Sequence, residues 1–356
     1  MIIGIEAQRA NTEQKTGVEH YAQQLILHLA EIDHVNSYVL YLRSKPQGWF
    51  LGLPKNFSIK VLPFPVFWTQ LRISLEMMLH PVDVLFIPAS ALPIVHPKKS
   101  IVTIHDLAWL YYPQTFTLFN RLFLRLSTWY AVRFAFRIIA VSEATRNDLL
   151  KSYNIAAEKV AVVHHGFSLE TKGHEAAMQD LPEHFILFLS TLQPRKNLEG
   201  LIAAFEDLKL QFPELPHKLV VVGKPGWKFE PIVTLIENSK DVVYLRHVTE
   251  TQKEYIFSKA SALVLPSFYE GFGMQILEAF ASRVPVAVSH VSSMPEVAGE
   301  AAAYFDPTNK QQIKEAIKNI LFDRAFAERL RDSGTKRLQQ FSWKKCAEET
   351  LEVLKN

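Results

Sequence analysis

Short runs of β-branched and apolar residues alternate with stretches of helical periodicity along most of this chain. Such alternation is typical of parallel sheets whose strands are joined by helices. The alternation stops once, at 167–184, where the sequence is polar and acidic and shows no strand pattern. The chain has 356 residues, more than one hydrophobic core usually supports. We therefore predict an α/β protein of two domains.

The first half of the chain contains an amphipathic helix among several short strands. From Gly17 to about Ala30, apolar residues fall at offsets of 0, 3, 4, 7, 8 and 11 from Val18, which places them on one face of a helix. We expect that face to pack on the sheet. The predicted strands of this half are Ile2–Glu6, Tyr38–Leu42, Ser58–Leu62, Val82–Ile87, Ile101–His105, Ile138–Val141 and Val160–Val163.

The second half repeats the same alternation. Its predicted strands are Phe185–Leu189, Leu219–Val222, Val242–Leu245, Ala262–Leu265, Val286–Ser289 and Ala303–Phe305. Its predicted helices are Leu198–Leu208, Glu250–Ala260, Gln311–Leu321, Arg324–Phe341 and Trp343–Lys355.

These patterns set the expected domain boundaries. We predict an N-terminal domain at 1–168, a linker at 169–183 and a second domain at 184–341. The final helix, at 342–356, could cross back to the first domain. Because ligands of open parallel sheets bind at the carboxyl ends of the strands, the expected site is the cleft between the domains.

Composition argues against several classes of function. The net charge of +3 is too small to indicate nucleic acid as a partner. Cys346 is the single cysteine, which excludes an internal disulfide and a cysteine metal cluster. No run approaches the ~18–20 apolar residues of a spanning helix, and the opening MIIGIEA lacks the basic flank of a signal peptide. We therefore expect a cytoplasmic protein.

One segment departs from this neutral balance. Residues 115–137 carry four arginines, no acids and many large apolar side chains. Such a segment could lie on the inner, anionic face of a membrane, with its arginines near the headgroups. It could equally be a core helix whose arginines face solvent. The sequence leaves both alternatives open.

The segment Pro266–Ser282 combines a glycine loop with two acids. It follows a predicted strand and opens a helical pattern, so its glycines and the helix start would form an anion site. Glu270 lies in the loop and Glu278 lies further along, in the helix. Carboxylates at a phosphate site need hydroxyl donors, which sugars and riboses provide. A nucleotide sugar is the ligand this combination indicates, although Glu270 could instead cap a turn and Glu278 could be an exposed helix acid.

The pattern S-x-Y-E-G-F-G-M-x-x-L-E-A at 267–279 resembles the signature of the retaining family-four glycosyltransferases of the GT-B fold. The resemblance covers nearly the whole chain and implies two Rossmann-like α/β/α domains facing each other across a donor-binding cleft. The chain departs from many relatives at Ser190, where they have glycine, and at His164 and His165, where they have Pro-Asn. Further matching motifs are TGVEHYA at 16–22, IHDL at 104–107, VSEATRNDL at 141–149, TLQPRKNL at 191–198, VVVGKPGW at 220–227 and SMPEVAGEAA at 293–302.

The resemblance implies a role for each matching residue of the second domain. Arg195 and Lys196 would hold the donor diphosphate. Glu270 would hold the hydroxyls of the donor sugar as a positioning residue, and Glu278 would bind the ribose. The backbone lining the sugar and phosphate would be that of Gly271, Phe272, Gly273 and Met274.

Two residues of the first domain also match the family pattern. His105 would lie near the donor sugar, and Gly17 would belong to a glycine loop that closes over the diphosphate. Each has a plain alternative, since His105 could be a strand-end histidine bonded to backbone and Gly17 an ordinary helix start. The acceptor is expected on this domain, near Trp68, Phe116, Phe119, Arg121 and Trp129.

The implied activity is transfer of a hexose, with retention, from a UDP- or GDP-linked sugar to a glycan or lipid-linked acceptor. The chain shows no D-x-D motif in a matching position, so we expect no metal and no other cofactor. An epimerase or a phosphorylase of the same fold is an alternative enzyme, although a phosphorylase usually needs a much longer chain. A non-catalytic nucleotide-sugar-binding or scaffolding protein is the alternative from another class.

Overall fold

The computed structural model describes residues 1–13, 17–168, 178, 180–226 and 229–356. These residues belong to two compact units. Unit 1 comprises Met1–Tyr111, Thr117–Gly166 and Phe341–Asn356, and unit 2 comprises Tyr112–Phe116 and Phe167–Gln340. Most of the predicted linker, at 169–177 and 179, lies outside the described residues, as do Thr16 and Trp227 of the family motifs.

The described residues of unit 1 form a sheet of seven parallel strands in the order β3-β2-β1-β4-β5-β6-β7. The strands are β1 (Ile2–Glu6), β2 (Ser37–Leu42), β3 (Phe57–Val61), β4 (Val84–Ile87), β5 (Ser100–Ile104), β6 (Arg137–Ala140) and β7 (Val160–Val162). The helices are α1 (Gly17–Ile32), α2 (Ser74–Leu79), α3 (Ala108–Tyr111), α4 (Leu118–Phe134) and α5 (Glu143–Tyr153), and a π-helical turn at Trp68–Ile73 leads into α2.

The described residues of unit 2 form six parallel strands in the order β10-β9-β8-β11-β12-β13. The strands are β8 (Phe185–Leu189), β9 (Lys218–Val222), β10 (Val242–Leu245), β11 (Ala262–Leu265), β12 (Val286–Ser289) and β13 (Ala302–Phe305). The helices are α6 (Leu198–Gln211), α7 (Glu230–Asn238), α8 (Glu250–Lys259), α9 (Met274–Ala281), α10 (Met294–Ala298), α11 (Lys310–Phe322) and α12 (Arg324–Leu338). The predicted α/β fold with two parallel sheets is confirmed.

The buried face of helix α1 is the apolar stripe that the sequence predicted. Its residues Tyr21, Leu25 and Leu29 are fully buried, as the single apolar stripe predicted. The C-terminal helix α13 (Trp343–Lys355) also belongs to unit 1. Its Trp343 is buried and lies beside Tyr21, with ring centroids 6.3 Å apart.

The strand ends differ from the prediction by up to two residues. β5 ends at Ile104, so His105 directly follows the strand and does not end it. β4 begins at Val84 and not at Val82; at Asp83, just before it, the side chain accepts the Ile2 amide at 2.7 Å and the backbone amide donates to the Ile2 carbonyl at 3.0 Å.

The exposure of helix α4 contradicts one of the two interpretations of the 115–137 segment, the one in which it is a core helix. Within it, the buried residues are Thr128, Ala131 and Val132, which all lie in its last two turns. Its large apolar side chains are exposed, so α4 is not a core helix with only its arginines in solvent. The exposed ones are Leu118, Phe119, Leu122, Phe123, Leu126, Trp129 and Phe134.

None of the helices in the described ranges is long and apolar enough to cross a bilayer.

Gly166 provides a test of the packing of α13 in unit 1. A Cβ atom at this position would lie 2.1 Å from the Trp343 amide nitrogen and 2.3 Å from its Cα. We expect Gly166→Ala to lower the free energy of unfolding by ~1–3 kcal/mol, because backbone has to move. Gly48→Ala is the control, since a Cβ there meets no atom within 4 Å. Equal urea midpoints for the two variants would contradict this packing.

Candidate functional site

The strand order of unit 2 creates a crevice between β8 and β11. From β8 the chain adds β9 and β10 on one side, whereas β11, β12 and β13 follow on the other. Loops after β8 and β11 therefore leave in opposite directions, and ligands of open α/β sheets bind outside the carboxyl ends of such strands. Arg195 and Lys196 follow β8, and Glu270 follows β11. The structure brings these three predicted residues together.

Glu270 is the centre of this cluster. Lys196 donates to both of its carboxylate oxygens at 2.6 Å, and Ser267 donates to Oε1 at 2.7 Å. Arg195 Nη1 lies 3.7 Å from Oε2. Lys196 and Glu270 are only 5% and 7% exposed. Burial alone would raise the pKa of Glu270, but the Lys196 and Arg195 cations outweigh it and lower the pKa, so the carboxylate is ionised.

Hydrogen bonds to backbone carbonyls hold the β8 and β11 loops to each other. The Phe268 amide donates to the Arg195 carbonyl at 2.9 Å, and Arg195 Nη1 donates to the Tyr269 carbonyl at 2.9 Å. Asn197 takes a left-handed conformation, with φ of 55°, and its side-chain amide donates to the Pro266 carbonyl at 3.1 Å. The two cations therefore have fixed positions at the carboxyl end of the sheet.

The glycine loop is fixed by two serines that sequence reasoning did not assign. Ser293 Oγ donates to the carbonyls of Glu270 and Phe272, both at 2.9 Å, and Ser292 Oγ donates to the Glu270 carbonyl. Gly273 has φ of 100° and forms the N-cap of α9, a conformation that favours glycine. Met274 is the first residue of α9. Ser293 opens the SMPEVAGEAA motif, which was the signal available in the sequence.

Glu278 lies in the second turn of α9 and has a different cation partner. Lys253 of α8 donates to its Oε1 at 2.8 Å and also lies 2.7 Å from Glu250. Burial alone would lower the pKa of Lys253, but Glu278 and Glu250 raise it, so the ammonium stays charged. The Glu278 side chain is 19% exposed, which leaves it accessible to a ligand.

The two candidate residues of unit 1, His105 and Gly17, are described by their surroundings within that unit. His105 Nε2 lies 3.0 Å from the Pro88 carbonyl, and burial lowers the pKa of the imidazole, which is therefore neutral. The Tyr21 ring meets it edge-on, 4.9 Å between centroids. Gly17 is the exposed first residue of α1, and the 14–16 segment before it lies outside the described residues. Their roles toward a donor stay predictions.

No group of three or more His, Cys, Asp or Glu side chains that could hold a metal occurs in the described ranges.

Two family profiles match adjoining parts of the chain. The profile described as Glycosyltransferase Family 4 matches 15–171, and the one described as Glycosyl transferases group 1 matches 172–337. Together the two profiles match nearly all of the chain. The matched residues include most strands of both parallel sheets and the Arg195–Lys196–Glu270 cluster. The chain belongs to the family-four glycosyltransferases of the GT-B fold.

This family-four glycosyltransferase has relatives among bacterial mannosyltransferases. It is 28% identical to O-antigen chain mannosyltransferase B of Escherichia coli over 270 residues, 72% of this chain and 70% of that one. It is 27% identical to O-antigen chain mannosyltransferase RfbU of Salmonella typhimurium over 225 residues, 63% of this chain and 61% of that one.

A solved structure supports the fold of the glycosyltransferase. Anabaena HepE, in complex with UDP and glucose, superposes with a TM-score of 0.71 over 100% of this chain and 99% of that one. The identity is 18%, so this likeness concerns the fold alone.

The buried ion pair can be tested by removing one partner at a time. Lys196→Met removes both short hydrogen bonds to the buried Glu270 carboxylate and leaves only Arg195, 3.7 Å from Oε2. We expect a loss of ~3–5 kcal/mol in the free energy of unfolding. The double variant Lys196→Met/Glu270→Gln should recover part of that loss, because the uncompensated charge is gone. Urea unfolding followed by circular dichroism measures both.

Lys310→Met is the matched control for this prediction. Lys310 pairs with Asp207 at 2.9 Å, but the two side chains are 52% and 35% exposed, so we expect a loss of at most ~1 kcal/mol. A Lys196→Met variant as stable as Lys310→Met would contradict the described ion pair.

Proposed function

We propose that this glycosyltransferase moves a hexose, with retention and without a metal ion, from a nucleoside-diphosphate sugar to a glycan acceptor. The observation that carries the proposal is the Arg195–Lys196–Glu270 cluster at the carboxyl ends of β8 and β11. The fixed cations and the glycine loop at the start of a helix suit a diphosphate. The ionised carboxylate suits the hydroxyl groups of a neighbouring sugar.

The two cations would stabilise the departing diphosphate. Charge develops on the phosphate oxygens as the glycosidic bond breaks, and cations already held in place lower the energy of that state without reorganising. Arg195 and Lys196 are held by the Tyr269 carbonyl and by Glu270. Such cations can take the place of a metal ion at the leaving group. The departing phosphate would then accept the proton of the acceptor hydroxyl.

The carboxylates would bind hydroxyl groups. Glu270 would accept hydrogen bonds from the donor sugar, and Glu278 would accept them from the ribose. Such charge-assisted bonds are about twice as strong as neutral ones. The backbone of Gly271–Met274 would approach the sugar and phosphate, since Gly271 and Gly273 add no side chain there.

Mannose is the sugar we favour, because both bacterial relatives above are named O-antigen chain mannosyltransferases. The acceptor would accordingly be a growing polysaccharide or its lipid-linked form. HepE was solved with UDP and glucose, so a UDP-linked hexose is the alternative donor. Proton NMR of the first-formed product distinguishes retention from inversion.

Donor binding is tested by isothermal titration with GDP-mannose, UDP-glucose, UDP-N-acetylglucosamine and ADP-glucose, all in EDTA. We expect one nucleotide class to bind. Glu278→Gln should weaken that binding at least ~10-fold, because a hydrogen bond to a charged group contributes ~1.5–3 kcal/mol.

Glu250→Gln is the matched control, because Glu250 is the other acidic partner of Lys253 but its side chain is 71% exposed. It should bind the donor like the unmodified protein. If no nucleotide sugar binds, the transferase proposal fails and the non-catalytic scaffolding alternative is favoured.

We further propose that a membrane-facing surface of unit 1 docks on anionic lipid. Four segments contribute to it: the turn leading into α2, α2 itself, the 94–95 loop and α4. The Tyr130 hydroxyl of α4 donates to the Ile94 carbonyl at 2.8 Å, and the Val95 amide donates to Ser74 Oγ of α2 at 3.0 Å. The exposed apolar side chains of α4 therefore adjoin those of Phe67, Leu71, Leu75, Met78, Ile94 and Val95.

The charge of this region complements an anionic membrane. Between 84 and 142 the sequence has six lysines and arginines and a single acid, Asp106. Arg121, Arg125 and Arg133 lie on α4 and are exposed. Each basic residue near an anionic surface contributes ~1 kcal/mol to binding. Attachment at this surface would bring the enzyme to a lipid-linked acceptor.

Flotation with phosphatidylglycerol vesicles tests this surface. We expect the unmodified protein to float and the Arg121→Glu/Arg125→Glu variant to remain in the dense fraction. The control variant Arg324→Glu/Lys336→Glu makes the same charge change on exposed residues of α12 and should float. Loss of flotation in both variants, or in neither, would contradict docking through α4.

A further inference from the structure

One region of unit 1 combines a small, partly open cavity with two cations. The cavity, of about 150 Å³, lies between the last turns of α4, the end of α5 and the residues before β7, and we call it the α4–α5 cavity. A cavity of ~150 Å³ can hold a molecule as large as benzene, so a phosphate group fits. The lining residues are Trp129, Val132, Arg133, Tyr153, Ile155 and Lys159.

The α4–α5 cavity lies at the edge of the sheet where its strands begin. Helix α4 ends just before β6, and α5 ends shortly before β7, so both helix ends lie near the amino ends of these strands. Ligands of open α/β sheets bind at the carboxyl ends. A ligand of the α4–α5 cavity is therefore separate from the crevice where the substrates of sugar transfer are expected.

Two cations, Arg133 and Lys159, border the cavity. Lys159 Nζ donates to the Arg133 carbonyl at 3.3 Å. Within the described residues, neither cation lies within 4.0 Å of a carboxylate oxygen. Partial burial and the Arg133 charge both lower the pKa of Lys159. The two cations therefore repel each other, and an anion bound between them would relieve that repulsion.

Most hydrogen-bond donors of these two cations remain available. The Lys159 ammonium has three hydrogens and the Arg133 guanidinium has five. The bond to the Arg133 carbonyl places Lys159 at the C-terminal end of α4, where the helix dipole stabilises a cation. That interaction uses one ammonium hydrogen and leaves the others for a ligand.

Tyr153 adds a neutral donor to the cavity. Burial raises the pKa of its hydroxyl to about 12, against the lowering effect of Arg125, so the hydroxyl keeps its proton. No residue in the described part of the chain forms a hydrogen bond with this hydroxyl. A phosphate group has acceptor oxygens that point in several directions, which suits an ammonium, a guanidinium and a hydroxyl together.

We propose that the α4–α5 cavity binds a phosphate group, with Arg133 and Lys159 neutralising its charge and Tyr153 donating a hydrogen bond. Two sources share this chemistry, the headgroup of an anionic lipid and a soluble phosphate. Trp129 lines the cavity and also belongs to the membrane-facing surface, so a lipid headgroup has access from that surface. The inference goes beyond sugar transfer and does not depend on it.

Fluorine NMR of the full chain labelled with 3-fluorotyrosine tests the cavity at Tyr153. The Tyr153 signal is the one that Tyr153→Phe removes. The probes are inorganic phosphate, glycerol 3-phosphate and monomeric dihexanoyl phosphatidylglycerol, in ~150 mM salt to screen exposed charges. We expect at least one probe to shift the signal saturably. Lys159→Gln should raise the midpoint at least ~10-fold, because it removes a hydrogen bond between charged groups.

Lys151→Gln is the matched control. Lys151 is exposed and lies two residues before Tyr153 on α5, which places it on the opposite face of the helix. Its loss should leave the midpoint unchanged. Both lysine variants should bind the nucleotide sugar like the unmodified protein, which shows that they are folded.

The three probes distinguish the sources of the phosphate. A shift with the lipid alone identifies a headgroup as the ligand, whereas equal midpoints for the lipid and the soluble phosphates identify a free phosphate. Absence of a saturable shift with every probe overturns the phosphate site. So does a midpoint in Lys159→Gln equal to that in Lys151→Gln, because binding then involves the apolar part of the membrane-facing surface alone.

Discussion

Parallel pairing of every strand is the constraint on which the other features of each sheet depend. A chain that pairs its strands in parallel must return across a face after each one, so all carboxyl ends lie at the same edge. In both units the strand order reverses beside the first strand, between β8 and β11 in unit 2 and between β1 and β4 in unit 1. The reversal opens a crevice at that edge, and each crevice contains a buried glutamate, Glu270 or Glu6.

The two glutamates have opposite environments. Glu270 has Lys196, Arg195 and Ser267 around it, and the pKa of its carboxyl group is lowered despite burial. Glu6 has one backbone donor within the described residues, and burial raises its pKa to about 7. A carboxylate held beside fixed cations suits a site for a diphosphate sugar. The first six strands of unit 1 thus have the same order as the six strands of unit 2, while the charge around the crevice differs.

Much of the fold was predictable, because short apolar runs report buried parallel strands directly. The bounds of β1, β8, β10, β11 and β12 match the prediction. Helix α5 was not predicted, since its sequence is polar and only Thr145 and Leu149 are buried in it. The exposed apolar face of α4 could not be predicted either, because periodicity gives the apolar side of a helix but not whether anything covers it.

The sequence predicted which residues form the candidate site but not the contacts between them. Arg195, Lys196 and Glu270 were recognised from their motifs, yet the pairing of Lys196 with Glu270 joins residues 74 positions apart. Only the adjacency of β8 and β11 makes that contact, and strand order is not written in local periodicity. Ser293 was visible only as the first residue of a motif.

The proposed function depends on binding of a nucleoside-diphosphate sugar at the β8 and β11 loops of unit 2. Hydrogen–deuterium exchange with and without GDP-mannose or UDP-glucose tests it most directly, because ligand contacts slow exchange of the amides they cover. We expect slower exchange at Arg195–Asn197, at Gly271–Met274 and at the start of α9 for the donor that binds. Slower exchange confined to other segments, with these two loops unchanged, would contradict it.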